Sequence, residues 1–263
     1  MGRPGALTIL GVDFTSAPRR AKPITAALGR LERGRLVVDA VERLQDFAAF
    51  EALLARPGPW IGGFDFPFGL PAELVRDLGW PREWRALVAH CARLSRDELR
   101  ATLDAYRAGR PPGRKYAHRA TDLPAGSSSP MKLVNPPVAL MFHEGAPRIA
   151  ASGAHVPGLA DGDRDRIALE AYPGLAARGI TRDSYKNDTK AKQTPERAAA
   201  RRRIIAALDA GLPRALRREM QDDASGDTLD AVLCAVQAAE AATRPRFGLP
   251  ARVDAVEGWI IGA

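Results

Sequence analysis

The chain has 263 residues, 46% of them hydrophobic, enough to bury a sizeable core as one large domain or one domain carrying an insertion. Lys and Arg number 39 against 31 Asp and Glu, and the resulting charge of +8 suits an anionic partner such as nucleic acid. The cysteines Cys91 and Cys234 offer neither a disulfide framework nor zinc-ligand spacing, and no apolar run approaches the roughly 20 residues that span a bilayer.

The opening Met1-Gly2-Arg3-Pro4-Gly5 does not resemble a signal peptide, so a reducing cytoplasm is the expected location and no membrane partner is expected. Ala6–Phe14 is a short apolar run ending at an aspartate and predicts a strand. Ile24–Leu31 and Arg35–Val41 predict the next two strands, with Glu32-Arg33-Gly34 as the hairpin turn between them. Gln45–Ala55 has apolar residues at helical spacing and is closed by Pro57-Gly58-Pro59. Trp60–Phe66 reads as a buried strand. This β-β-β-α-β order predicts a mixed sheet packed against helices.

Helices are expected at Pro71–Leu78 and over Trp84–Arg110, the second interrupted near Leu94-Ser95-Arg96-Asp97. Arg110–Pro137 is rich in Pro, Gly and Ser and predicts a long functional loop, and the segment from Asn135 to Pro157 reads as a lid or insertion on the core. Taken together, a single domain over 1–263 with an insertion at about 80–160 is expected. Arg166–Tyr172 resumes strand character, Ser184–Gln193 is a lysine-rich loop, and Pro195–Ala210 and Pro213–Met220 predict helices. Thr228–Ala242 is an apolar helix, and Gly258–Ile261 is a candidate terminal strand.

Three acidic motifs stand out: Gly11-Val12-Asp13, Gly63-Phe64-Asp65-Phe66-Pro67 and Asp227-Thr228-Leu229-Asp230-Ala231. A carboxylate emerging from a core strand is costly unless something satisfies it, which makes Asp13 and Asp65 site candidates. The alternative for both is an Asp that bonds its own turn. In a regular strand Asp65 points away from the rings of Phe64 and Phe66. Asp227 and Asp230 share one helix face that continues through Cys234 and Ala238, small residues suited to close packing on a sheet. Ser225 or Asp227 as a helix cap is the competing reading, and Asp222 and Asp223 are expected to be solvated. Acids on the rims of adjacent core elements can hold hard divalent cations, and such a set predicts magnesium or manganese on Asp13, Asp65 and Asp230.

Glu170, in Leu169-Glu170-Ala171-Tyr172-Pro173, reads either as a further metal or base residue or as the partner of an arginine. Glu257 is a weaker candidate of the same kind, and His118 and His143 show no ligand pairing. The loop carrying Arg110, Arg114, Lys115, His118 and Arg119 could contact a phosphate backbone or form a solvated face. The same choice holds for the run of Arg178, Arg182, Lys186, Lys190, Lys192, Arg197 and Arg201–Arg203. Tyr116, Tyr172 and Tyr185 lie near these groups and could stack on bases. No serine occupies a G-x-S-x-G elbow.

Gly11-Val12-Asp13, Asp65-Phe66-Pro67-Phe68-Gly69, Glu170-Ala171-Tyr172-Pro173 and Asp227-Thr228-Leu229-Asp230-Ala231 together resemble a family of unknown function. Its members are regarded as predicted nucleases of the ribonuclease H-like superfamily. The last motif is also similar to Holliday-junction resolvases, although Asp65 stands where those carry a glutamate. The resemblance implies a ribonuclease H-like α/β fold: a mixed five-stranded sheet flanked by helices, with the first strand beside the fourth. It also implies that Asp13, Asp65 and Asp230 meet at one sheet edge, completed by Asp227 or Glu170. The expected activity is metal-dependent hydrolysis of phosphodiester bonds in DNA or RNA. An actin-like phosphotransferase and a catalytically inactive module binding nucleic acid or protein are the alternatives.

Overall fold

The computed structural model describes residues 7–263, so Ala6 of the expected first strand and the side chain of Lys190 lie outside the described residues. The chain begins with β1 (Thr8–Asp13), β2 (Ile24–Glu32) and β3 (Arg35–Leu44), followed by α1 (Phe47–Leu54) and β4 (Trp60–Asp65). Helices α2 (Ala72–Asp77), α3 (Trp84–Arg93), α4 (Arg96–Ala108), α5 (Asp122–Ala125) and α6 (Val138–Ser152) come next. Then follow β5 (Ala154–His155), β6 (Asp163–Glu170), α7 (Pro173–Ile180), α8 (Pro195–Ala207), β7 (Ala210–Gly211), α9 (Arg214–Asp222) and α10 (Asp227–Ala242). No helix among the described residues is long and apolar enough to cross a membrane.

One sheet runs β5-β6-β4-β1-β2-β3-β7. Pairing is antiparallel across β1-β2 and β2-β3 and parallel everywhere else, so the sheet is mixed and mostly parallel. It has seven strands rather than the expected five, because the edge strands β5 and β7, of two residues each, extend it. The first strand does lie beside the fourth. The terminal strand expected at Gly258–Ile261 shrinks to one bridge, Ile260 against Glu170, since positive φ at Gly258 and Gly262 bends the chain away on both sides.

Period-two alternation divides β1 and β4 cleanly. Leu10, Val12, Trp60 and Phe64 enter one core, which α1, α2, α3, α4 and α6 cover. Phe14, Phe50, Phe64, Phe66 and Phe68 form a connected aromatic cluster within it, at centroid separations of 4.5–6.2 Å. The segment read as a lid is largely α6, and it belongs to this core: Phe142, Ala146 and Ile149 are buried, and Gly145 sits against the Phe66 ring. Its buried apolar stripe gives it a packing role rather than a covering one. Helices α3 and α4 are separate, as expected, because Ser95 forms a capping box with Glu98 that starts α4.

The opposite face carries Ile9, Ile61 and the helices α7 to α10. Twelve residues of α10 are buried, so it is a core helix nearly all round. It comes this close because Gly11 and Gly63 are register partners beneath it. A Cβ on Gly11 would fall inside the backbone of Ala231 and Ala235, and one on Gly63 would lie 2.5 Å from the Cys234 carbonyl oxygen. Two residues further on, Asp13 and Asp65 are also register partners and emerge on this same face, under the first turn of α10.

Candidate functional site

The first turn of α10 is set by a cap upstream of the residues expected to provide it. Asp223, expected to be solvated, accepts from the Thr228 amide and hydroxyl at 2.8 Å each and from the Ser225 hydroxyl at 2.5 Å. Gly226 is the N-cap residue, with φ 82°, and it makes no side-chain cap bond itself. This turn relieves Ser225 and Asp227 of capping, leaving Asp227 and Asp230 available to the site. Arg43 of β3 donates to the Thr228 hydroxyl and to Glu219 at 2.6 Å, tying the helix start to the sheet.

Asp230 is fully buried. Its Oδ1 accepts from the Tyr185 hydroxyl at 2.5 Å and its Oδ2 from the Lys186 ammonium. Asp227 receives Lys22 on both oxygens, at 2.8 and 2.9 Å, and the same ammonium reaches Asp188 at 3.0 Å. The carboxylates of Asp13 and Asp65 are half-buried and have no hydrogen-bond or ion-pair partner among the described residues. Burial, then the charges of Asp230, Asp227 and Asp65, push the pKa of Asp13 well above the usual carboxylate range, against the pull of Lys186. Burial also raises Asp65 to about 7, with Asp230 and Glu170 adding to the shift and Lys186 opposing it. Burial opposes the charge on Lys186, but Asp230, Tyr185, Asp13 and Asp65 outweigh it and hold the ammonium protonated. These mutual influences place all four aspartates in one electrostatic unit.

Thr25 adds an orphan. It is the β2 register partner of Asp13, hence on the same sheet face, it is 1% exposed, and its hydroxyl has no partner among the described residues. Beneath the cluster lies Cys234, whose thiol pKa is driven far up by burial and then by the carboxylates of Asp65, Asp230 and Asp13. It is floor, not nucleophile.

Glu170 takes the second of its two expected readings. Arg119 donates to both its oxygens at 2.7 Å, and the Phe68 amide adds a bond at 2.9 Å. Arg119 also binds Asp122 and the Glu257 carbonyl, and all four of these residues are buried. Both Glu170 oxygens are thus engaged in a buried ion pair, the arginine-partner arrangement, and the structure does not bring Glu170 to Asp13 and Asp65 as an unpaired carboxylate. Glu257 likewise accepts the Ala72 and Ala120 amides at 2.8 Å. His143 bonds the Leu94 carbonyl and lies beside Glu144, within the helical layer.

Much of the basic run is structural as well. Buried Arg201 holds the Tyr185 and Gln221 carbonyls at 2.8 and 3.0 Å, and Arg203 pairs with Asp183. Arg178 donates to the Ala125 carbonyl and covers the Tyr172 ring. Tyr185 is a ligand of Asp230 rather than a stacking platform. In the other loop, Glu73, Arg110, Arg114, Lys115, Tyr116 and His118 line a surface cleft of about 540 Å³. Arg110 is paired there with Glu73, while Arg114 and Lys115 are exposed and form no ion pair among the described residues.

Chemically, the cluster offers hard carboxylate oxygens, the donor type that magnesium and manganese take. Among the described residues, no three His, Cys, Asp or Glu side chains already surround one point at ligand geometry. Asp230 faces Lys186 instead. Sequence reasoning missed Lys22 and Thr25, gave Tyr185 a stacking role and Asp223 a solvated one, and placed Lys186 only within a basic run. The Asp223-x-Ser-Gly spacing before α10 was the one local signal available.

A family model described as "Protein of unknown function (DUF429)" matches residues 11–253, and the chain belongs to that family. No match was found among curated proteins, and none among solved structures.

Proposed function

We propose that this DUF429 member is a metal-dependent nuclease with a ribonuclease H-like core. In this reading Asp13, Asp65 and Asp230 hold magnesium or manganese, and a nucleic-acid phosphodiester is cleaved beside them. The observation that carries it is the pair Asp13 and Asp65: adjacent strand ends in register place two carboxylates side by side on one sheet face, and neither has a partner among the described residues. Such groups are costly to ionise alone, and a cation is the ligand that would offset that cost. The orphaned Thr25 hydroxyl beside Asp13 fits the same centre, since an ion's water shell would satisfy it. The first strand lying beside the fourth supports the ribonuclease H-like assignment.

A bound divalent ion would act as a Lewis acid on the phosphate ester and make water a better nucleophile at neutral pH. The chain's own residues provide the rest. Lys22 fixes Asp227, and Tyr185 with Lys186 fixes Asp230, so both helix carboxylates are held in place before substrate arrives. Arg114 and Lys115 bind the phosphate backbone, with Tyr116 beside them to stack on a base.

The test is manganese calorimetry at pH 8 on the wild type, Asp13→Asn and Asp65→Asn, with cleavage of single-stranded and duplex DNA and RNA followed in parallel. Saturable binding and cleavage in the wild type, both lost in the variants, are expected. Equal weak binding in all three proteins, with cleavage insensitive to both substitutions, would sink the reading.

A further inference from the structure

We propose that Lys186 is a built-in cation of this centre, occupying the place of a second metal, so that the protein binds one divalent ion, at Asp13 and Asp65. This rests on the metal-centre reading above and narrows its ligand set to Asp13 and Asp65, with Asp230 held by Lys186 instead of the ion. The charge count is simple. With all four carboxylates ionised, as an ion at Asp13 and Asp65 would require, Asp13, Asp65, Asp227 and Asp230 against the ammoniums of Lys22 and Lys186 leave two negative charges for a single divalent ion to neutralise.

The partners divide the same way. Both oxygens of Asp227 are taken by Lys22, and those of Asp230 are shared between Tyr185 and Lys186. Asp13 and Asp65 have no partner among the described residues. Thr25 flanks the same centre independently: its hydroxyl is buried and has no partner among the described residues, and it is the β2 register partner of Asp13, which lies between Thr25 and Asp65 in the sheet. An ion at Asp13 and Asp65, with its water, would satisfy it.

A lysine that merely drifted over the acids would yield to a metal. Lys186 is delivered by a scaffold. Its stem lies on Gly226, where a Cβ would stand 2.8 Å from the Lys186 Cβ, and the positive φ of Gly226 turns α10 away just there. On one side the Tyr185 carbonyl is held by buried Arg201 at 2.8 Å, and on the other the Asn187 amide donates to the Ala224 carbonyl at 3.2 Å. Tyr185 and Lys186 thus enter Asp230 as a pair from one pinned loop. In two-metal centres the two cations stabilise the attacking and leaving oxygens of the phosphoryl group. Here a fixed ammonium stands for one of those charges, and a compact, strongly hydrated lysine is suited to it.

The stoichiometry of manganese binding tests this, by calorimetry and by counting bound ions through the loss of free-manganese paramagnetic resonance. The wild type should bind one ion per chain, Lys186→Arg should also bind one, and Lys186→Met should bind two. Two ions in the wild type would show that Lys186 is displaced and would overturn the proposal while leaving the metal reading intact. One ion in both the wild type and Lys186→Met, at equal affinity, would overturn it too, making Lys186 a structural pair. No ion in any of the proteins would defeat the metal reading itself. Where Lys186→Met, with a buried carboxylate unpaired, fails to fold, a count of two ions in the wild type or in Lys186→Arg still overturns the proposal.

Discussion

Replacing Asp65 by Asn should make the metal-free protein more stable, and increasingly so as the pH rises. The Asp65 carboxyl titrates at about 7 in the folded chain against an ordinary value of 3.8. Between those values the folded state holds a proton that the unfolded chain has released. Stability therefore falls as pH rises through that window and stays at its lower level above it. At about 1.4 kcal/mol per pH unit, the full effect is about 4 kcal/mol, of which roughly 2.5 falls between pH 5 and pH 8. Asn keeps the shape and removes the ionisation, and it also spares Asp13 one like-charged neighbour, which acts in the same direction. Urea unfolding in chelator at pH 5, 6, 7 and 8 would read the two slopes. The wild type should lose about 2–3 kcal/mol more than Asp65→Asn across the range. Saturating manganese at pH 8 should return most of that loss to the wild type and none to the variant. Parallel stability curves for the two proteins would refute the picture of an unpartnered carboxylate held beside other charges.

Gly11→Ala should weaken manganese binding without touching a carboxylate, because its new Cβ meets the backbone of Ala231 and Ala235 and must lift α10 from the sheet. Destabilisation of about 1–3 kcal/mol in urea is expected, and unchanged metal affinity would contradict the role given to that contact. Arg119→Met strands Glu170 and Asp122 as buried, unpaired carboxylates and should cost about 3–5 kcal/mol. Thermal unfolding measures that cost, while manganese affinity at a temperature where the variant remains folded should match the wild type; a large loss there would return Glu170 to the metal centre.

The acidic motifs were legible because each sits at a local boundary, where an apolar run ends at a strand tip or begins a helix. Element order followed from the same runs, whereas the placing of the first strand beside the fourth came only from the family resemblance. The counter-charges were not legible. Lys22 and Asp227 are 205 residues apart, and Lys186 and Asp230 are 44 apart, so only the folded chain joins them. For Glu170 the sequence offered a partner among its many arginines, and nothing local singles out Arg119. The cap was missed for another reason. Ser225 and Asp227 flank the helix start in sequence, but positive φ at Gly226 turns the chain so that Asp223, further back, reaches the Thr228 amide. The two-residue edge strands carry too few residues to show any period.

The spacing of glycine and aspartate in the two central strands has a physical meaning that each motif alone conceals. Gly11-Val12-Asp13 and Gly63-Phe64-Asp65 lie in register, and because side chains alternate, each glycine shares a face with the aspartate two residues on. The glycines remove the side chains that would hold a helix off the sheet. A helix of small residues can then rest on bare backbone, which sets its first turn above the aspartates. Valine and phenylalanine between them face the opposite core and anchor the strands there. The distance from α10 to the sheet and the position of its first turn over the strand ends that carry Asp13 and Asp65 are therefore one structural decision. A side chain at either glycine would separate the carboxylates even with every acidic residue retained.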